Sequence, residues 1–391
     1  MRPVIPARPD PLRRSERGDV MKVADVTRAL EAIAPPSLAS EWDNVGLLIG
    51  DQAATVHKLM LCVDLTDEVL AEAATVRAQM VMAYHPVIFK PLARVTDSDS
   101  HVVYQAIRQQ VAVYSMHTAL DAARGGSNDA LADVLDLAQR RPLEPIVRKD
   151  RCKVVVFVPP DDLHDVADAA FAAGAGKTGN YYDCSFFVHG IGTFTGAPGA
   201  RPTVGEAGRH EATEEMRLEV VAPRSSAGAV CAAIRSAHPY ETPAIDVYPI
   251  EDAPDGCGIG RVGKLARPVL VRTLISRIKK QLGLSRVLVS SGDGAGKHGK
   301  PNLVATAACA AGSCGKLYRA ALAAGATFYL TGEMRHHDAL AAERAGMTVV
   351  CTGHSNSERI ALKHVASRLK ELLPKLRVVH SRRDMDPFRV V

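Results

Sequence analysis

Three short apolar runs in this chain each lead to a histidine. They are Met80-Val81-Met82-Ala83 before Tyr84-His85-Pro86, Val111-Ala112-Val113-Tyr114 before His117, and Met347-Thr348-Val349-Val350-Cys351 before His354. Two of these histidines have a carboxylate four residues on: Asp121 after His117, and Glu358 after His354. On one turn of helix that spacing points both side chains the same way. Imidazole and carboxylate together, without thiolate, suit a divalent first-row metal. A pair of ions needs several donors within a few ångströms and at least one carboxylate able to bridge. A single His-x-x-x-Glu is weak evidence, because chance matches are common. Two such pairs plus His85, all after apolar runs, make a metal site the leading expectation.

The elements that must position these donors read as α/β. Continuous apolar runs suit buried parallel strands. Three such strands would bring the histidines out on one side of one sheet, where open α/β folds hold their ligands. Residues 22–34 space Val23, Val26, Leu30 and Ile33 as a helix that Pro35-Pro36 stops. A strand at 59–63 and helices at 68–78, 101–110 and 128–137 alternate with the first two histidine strands. This predicts a parallel sheet covered on both faces. Prolines and charges break the pattern around 140–149.

Residues 150–252 then read as strand, helix, strand, strand, helix, strand, with glycine-rich loops at 174–179 and 190–208. That is the order of a ferredoxin-like sandwich. After a second glycine cluster at 256–263, strands and helices resume up to the last histidine strand and a helix at 355–372. The simplest organisation is one discontinuous α/β domain in two halves, 21–145 and 256–391, around a dinuclear metal site. A ferredoxin-like α+β domain is inserted at 150–252, and a disordered extension occupies 1–20. Three independent domains are the alternative. Insertion is preferred because the two halves supply one set of complementary donors.

Composition narrows the function classes. Hydrophobic residues make up 47% and charged residues 23% of the 391, as in an ordinary globular protein. No long uncharged apolar run suggests a membrane-spanning helix. Net charge is +5, but five arginines against Asp10 and Glu16 give residues 1–18 a charge of +3. The remainder is near neutral and gives no support for nucleic-acid binding. The basic, proline-rich tail lacks an apolar core, so it does not read as a secretory signal, and Met21 reads as a natural beginning. The eight cysteines are scattered and none forms a Cys-x-x-Cys pair. That pattern points to a reducing, cytoplasmic setting and not to a disulfide framework.

Two further features invite functional readings. Gly174-Ala175-Gly176-Lys177-Thr178 ends like a phosphate-binding loop, but Phe171 stands where the first glycine is needed and the stretch follows a helix. It reads as a structural turn, and the stretch at 291–297 fails similarly. His336 and His337 follow the run at 327–330. They read either as outer groups that orient ligands or meet substrate, or as the polar start of a helix beside the site.

The motifs Glu41-Trp42-Asp43-Asn44-Val45-Gly46-Leu47, Tyr84-His85-Pro86, His117-Thr118-Ala119-Leu120-Asp121, Thr331-Gly332-Glu333 and Gly353-His354-Ser355-Asn356-Ser357-Glu358 resemble the Nif-three-like family, often described as GTP cyclohydrolase 1 type 2 homologues. The resemblance runs from about Met21 to Phe388. In the middle module, His238-Pro239-Tyr240-Glu241-Thr242-Pro243-Ala244 looks like the longer members, whose insert is similar to small trimeric signalling and metal-tolerance proteins. The resemblance implies two divalent ions, with zinc, iron or manganese open, at the centre of a ring-shaped homohexamer. It makes His85, Asp121, His354 and Glu358 ligands, with Glu358 as the bridge and His117 close by. Many bacterial members have two adjacent histidines where this chain has Tyr84-His85. A phenol is a poor ligand unless deprotonated, so Tyr84 either weakens one ion or serves as a proton donor. Tyr84 and Glu333 are the candidate catalytic residues.

The leading function is a metal-dependent hydrolase, because paired ions acidify water and clamp a phosphate or ring oxygen. A small-molecule substrate, a nucleotide or a phosphoester, is expected. No residue specifies guanine recognition. The alternative is a non-enzymatic metal-binding or regulatory oligomer.

Overall fold

The computed structural model describes residues 20–147, 150–251, 256–291 and 302–388. The extension read at 1–20 and the glycine stretch at 291–297 lie, apart from Val20 and Ser291, outside the described residues. The chain divides into two compact units, Met1–Ile146 with Gly256–Val391, and Val147–Asp255.

In the first unit the helix Val23–Ile33 buries Val23, Val26, Leu30 and Ile33, the positions that its apolar spacing marks. It packs into a core that also takes Ala361, Leu362, Val365 and Leu369 from the helix His354–Leu372, near the other end of the sequence. The strands Lys58–Cys62, Met80–Ala83 and Ala112–Ser115 are parallel, with Ala83 opposite Ser115. All four residues of each of the last two strands are buried, which is why they show no polar alternation. With Gly46–Ile49 and Arg377–His380 they form a five-stranded sheet.

The third histidine strand belongs elsewhere. Thr348–Cys351 lies in a six-stranded sheet, parallel to Phe328–Thr331, which is parallel to Leu303–Ala310. The histidine strands therefore do not share one sheet as expected. Each strand is buried on both faces in its own sheet, so the runs look alike in sequence. Nor is either sheet wholly parallel. Gly46–Ile49, Leu137–Arg141, Arg261–Leu270 and Leu288–Ser291 all pair antiparallel. The strand Arg261–Leu270 begins inside the glycine cluster at 256–263, where no strand was read. At Gly263 a Cβ would stand 2.6 Å from the Ala138 carbonyl oxygen, so this strand position requires glycine.

Two polar ties join the two halves of this unit. The fully buried Arg261 forks onto Asp129 (Nε to Oδ1 3.0 Å, Nη2 to Oδ2 2.9 Å) and donates to the carbonyls of Gly258, Gly260 and Ala123. Asn128 donates to the Asp121 carbonyl at 2.8 Å and accepts from the Ala311 amide at 2.9 Å.

The second unit has strand Arg151–Val158, helix Leu163–Ala172, strands Ser185–Thr195 and His210–Pro223, helix Ala227–Ala237 and strand Ile245–Ile250. Its four strands form an antiparallel sheet. The strand Ser185–Thr195 runs on through Gly190 and Gly192, where a loop was expected. The turn around Gly174 and Gly176 is structural: the Gly176 amide donates to the Val221 carbonyl at 2.8 Å, and its carbonyl accepts from Cys184. A cavity of about 450 Å³ is lined wholly by this unit's residues, among them Phe157, Glu215 and Tyr240.

Candidate metal centre

Each functional side chain stands just past the carboxyl end of a strand. His85 follows Met80–Ala83 by two residues, and His117 follows Ala112–Ser115 by two. The parallel register sets them side by side, and the His117 amide extends the ladder to the Tyr84 carbonyl at 3.0 Å. His117 adopts φ 26°, uncommon for a residue with a side chain. In the other sheet, three adjacent parallel strands are followed, two or three residues past their ends, by Gly312, Glu333 and His354. His354 opens the helix His354–Leu372, one residue earlier than the sequence suggested, and Glu358 follows one turn later.

The two sheets thus bring His85, His354 and Glu358 together, with donor atoms all within 4.8 Å of one another. His85 Nε2 lies 3.2 Å from Glu358 Oε2, and His354 Nε2 lies 3.2 Å from Glu358 Oε1. Glu358 is 3% exposed, and among the described residues no donor beyond His85 reaches its Oε2. The far nitrogens are tied back. His85 Nδ1 is 2.8 Å from Asp64 Oδ1, His354 Nδ1 is 3.3 Å from Glu333 Oε2, and His117 Nδ1 is 2.7 Å from Asp43 Oδ1. A carboxylate on Nδ1 turns Nε2 inward and makes it a better donor to a cation. At Gly312, which adopts φ +66°, a Cβ would stand 2.7 Å from Glu358 Oε1. The absent side chain therefore leaves the space beside the carboxylate free.

His117 and Asp121 do not join that group. The His117 ring stands 5.4 Å from the His85 ring, which is itself 5.4 Å from the His354 ring. Asp121 Oδ1 accepts from the hydroxyls of Tyr84 and Ser127. Burial pushes the Asp121 carboxyl up to about 6. Burial, reinforced by the charges of Asp121 and Glu358, holds the Tyr84 phenol well above 10, so it stays protonated and donates. Burial opposes a proton on His85, but the carboxylates of Asp64 and Glu358 outweigh it and raise its pKa to about 10. Glu358 beside His354 raises that imidazole to about 9. Burial works against charge on Glu358, yet both imidazoles bring its pKa below the ordinary value. His336 and His337 are exposed at the start of the helix His336–Arg344, their rings 5.4 Å apart.

The family described as Duf34/NIF3 (NGG1p interacting factor 3) matches residues 21–387. The chain belongs to the Duf34/NIF3 family. A GTP cyclohydrolase 1 type 2 homolog of Halalkalibacterium halodurans is 32% identical over 95% of this chain and 100% of its own length. One from Bacillus subtilis is 33% identical over 93% and 97%. The solved structure of a Bacillus cereus protein related to NIF3 superposes with a TM-score of 0.73 at 32% identity, covering 96% of this chain and all (100%) of that one. The resemblance read from the motifs is borne out, as is the mixed α/β fold. Among the described residues no helix is long and apolar enough to cross a membrane. In this Duf34/NIF3 chain, sequence reasoning missed Asp43, Asp64 and Gly312 as parts of the site. Asp64 was visible as the residue ending an apolar run, and Asp43 lay within a family motif. Gly312 carried no signal.

Proposed function

We propose that this Duf34/NIF3 chain is a metal-dependent hydrolase acting on a nucleotide or phosphoester. The observation that carries the reading is Glu358, a buried carboxylate whose two oxygens each lie 3.2 Å from an imidazole Nε2, on two rings whose far sides are fixed by Asp64 and Glu333. A buried carboxylate needs positive charge beside it; protons on the two imidazoles supply it in the free chain, and a divalent cation would replace them. The donors, two nitrogens and a carboxylate, suit zinc, iron or manganese. His85, His354 and Glu358 would hold one ion. Glu358 would bridge to a second ion near Asp121 and His117. When bound, such ions activate water and neutralise charge on a phosphate or ring oxygen.

The chain's own residues do the rest. Asp64 and Glu333 fix the rings of His85 and His354. Tyr84 donates to Asp121 and so holds that carboxylate in place. Exposed Glu333 and the hydroxyl of Tyr84 are the candidates for moving a proton. The second unit is read as a ferredoxin-like insert, and the assembly as a homohexamer. Elemental analysis of protein purified without added metal, with a turnover panel of nucleotides and phosphoesters, tests the reading. His354→Ala and Glu358→Ala should each lose bound metal and turnover together. Unchanged metal content in both variants would remove the site. Full metal content without turnover on any substrate would leave a metal-binding oligomer.

A further inference from the structure

Beside His117 stand two aromatic side chains that the metal centre does not use. Trp42, the chain's single tryptophan, is 62% exposed, and Phe89 is 46% exposed. Their rings meet edge to face at 5.9 Å, and both stand over His117, at 5.9 Å and 6.4 Å. Other aromatics of the chain are exposed too, among them Tyr181, Phe186 and Phe388; this pair is set apart by its ring contacts with each other and with a histidine beside the donor cluster. Single exposed apolar residues need no explanation, whereas a contiguous patch beside a site does.

The pair is exposed and also held in place. Next to Trp42, Asp43 accepts from His117 Nδ1, from the Thr118 amide at 3.1 Å and from the Thr118 hydroxyl. The Ser40 amide donates to the same hydroxyl at 2.9 Å, and the Asp43 amide donates to the Ser40 carbonyl at 2.9 Å. Asn44 reaches across to the Ile88 carbonyl at 2.6 Å, which fixes the chain just before Phe89. The polar residues of this loop are spent on rigidity, and the indole is left facing water. Such preorganisation lowers the ordering cost of a ligand that covers it.

We propose that Trp42 and Phe89 form a wall that receives a flat aromatic or heteroaromatic ring. The substrate class of the centre is then a ring-bearing phosphoester and not an aliphatic one. The inference rests on the metal-centre reading above. Stacking on such a surface is tolerant of ring identity, so a nucleobase and a simple aryl group share the recognition chemistry. Trp42 and Phe89 act as positioning residues: they fix the ring, and the ring's attachment fixes where the ester meets His85 and His354.

Trp42 is its own probe. The full chain loaded with zinc is titrated with adenosine monophosphate while tryptophan emission is recorded. Glycerol phosphate and inorganic phosphate serve as competitors, and metal content is measured on the same samples. Adenosine monophosphate should change the emission saturably and bind on the order of 10-fold more tightly than glycerol phosphate. Phe89→Leu keeps an apolar side chain and should erase most of that advantage at unchanged metal content. Metal at full occupancy with emission indifferent to adenosine monophosphate overturns the wall and leaves the centre standing. So does a Phe89→Leu variant that keeps the advantage, or an indole shielded from a soluble quencher because a second copy of the chain covers it. A wild-type chain that binds no zinc overturns the centre instead, and the wall's role with it.

Discussion

At the scale of single residues, the centre is organised by competition between protons and a cation. With His85 raised to about 10 and His354 to about 9, both rings carry a proton at neutral pH, and both Nε2 atoms face Glu358. Two such protons bring the charge of one divalent ion. Metal binding near pH 7 should therefore release close to two protons, and affinity should rise with pH. Calorimetry in buffers of different ionisation enthalpy counts them, and binding without proton release would contradict the arrangement.

Stability follows the same groups. The folded pKa values of His85 and His354 lie above the ordinary 6.5, so their contribution is fully present below about 6.5 and is lost as pH rises towards 9 and 10. Glu358 has the opposite sign: its contribution is present above the ordinary 4.5 and lost as pH falls. Asp121, raised to about 6, destabilises as it ionises, and that change is largely complete by neutrality. The metal-free protein should then lose thermal stability between about pH 7 and pH 10, and added zinc should flatten the decline. Scanning calorimetry with and without metal reads the difference. Gly312 offers a steric test at this scale. Gly312→Ala places a methyl 2.7 Å from Glu358 Oε1 and strains a backbone at φ +66°. Metal affinity should fall at least tenfold while the fold persists; unchanged affinity would show that the space beside Glu358 is not used.

At the scale of elements, the histidine strands were legible because they are buried on both faces and read as unbroken apolar runs. The same property hid which sheet each belongs to. His85 and His117 emerge from one sheet and His354 from another, and no periodicity distinguishes them. The spacing of His354 and Glu358 predicted a shared helical face, and both meet at the donor cluster. The identical spacing of His117 and Asp121 did not bring Asp121 into that cluster, because Tyr84 and Ser127 engage its carboxylate. Asp43 and Asp64 are lone acids at a loop and a strand end: a family motif held the one and an apolar run ended at the other, but no paired spacing marked either as part of the centre. The antiparallel strand Arg261–Leu270 was hidden by Gly263, which the close Ala138 carbonyl demands.

That strand also opens on Arg261, which ties the two halves of the unit. Arg261→Met would leave Asp129 without its fork and take one donor from each of three carbonyls. Breaking a buried pair costs about 3–5 kcal/mol. Adding Asp129→Leu should recover part of the loss, because the carboxylate is then gone that would otherwise keep only the Gly125 amide at 2.7 Å and the more distant Arg140 at 4.0 Å. Urea unfolding of both variants measures this, and a double variant less stable than the single one would contradict the account.

At the scale of the whole molecule, the chain leaves the first unit at Ile146 and re-enters it at Gly256. The exit and return are hydrogen-bonded neighbours: Glu144–Pro145 pairs antiparallel with Gly258–Ile259, and the Ile146 amide donates to the Cys257 carbonyl at 3.1 Å. The first unit is therefore closed at this point without the residues between. Every donor of the candidate centre, and each carboxylate that orients one, lies in that unit. Its core also draws on both halves of the sequence, as the packing of Val26 and Leu30 with Leu362 and Leu369 shows. A two-residue Asn-Gly turn suits an antiparallel pair that ends this way. Joining Ile146 to Cys257 through such a turn should give a protein that unfolds in one cooperative transition and binds metal at the full-length stoichiometry. Elemental analysis and thermal unfolding followed by near-ultraviolet circular dichroism check both. A folded product that has lost its metal would mean that the removed residues 147–256, all but Gly256 from the second unit, contribute to the centre, and would overturn its assignment to the discontinuous unit alone.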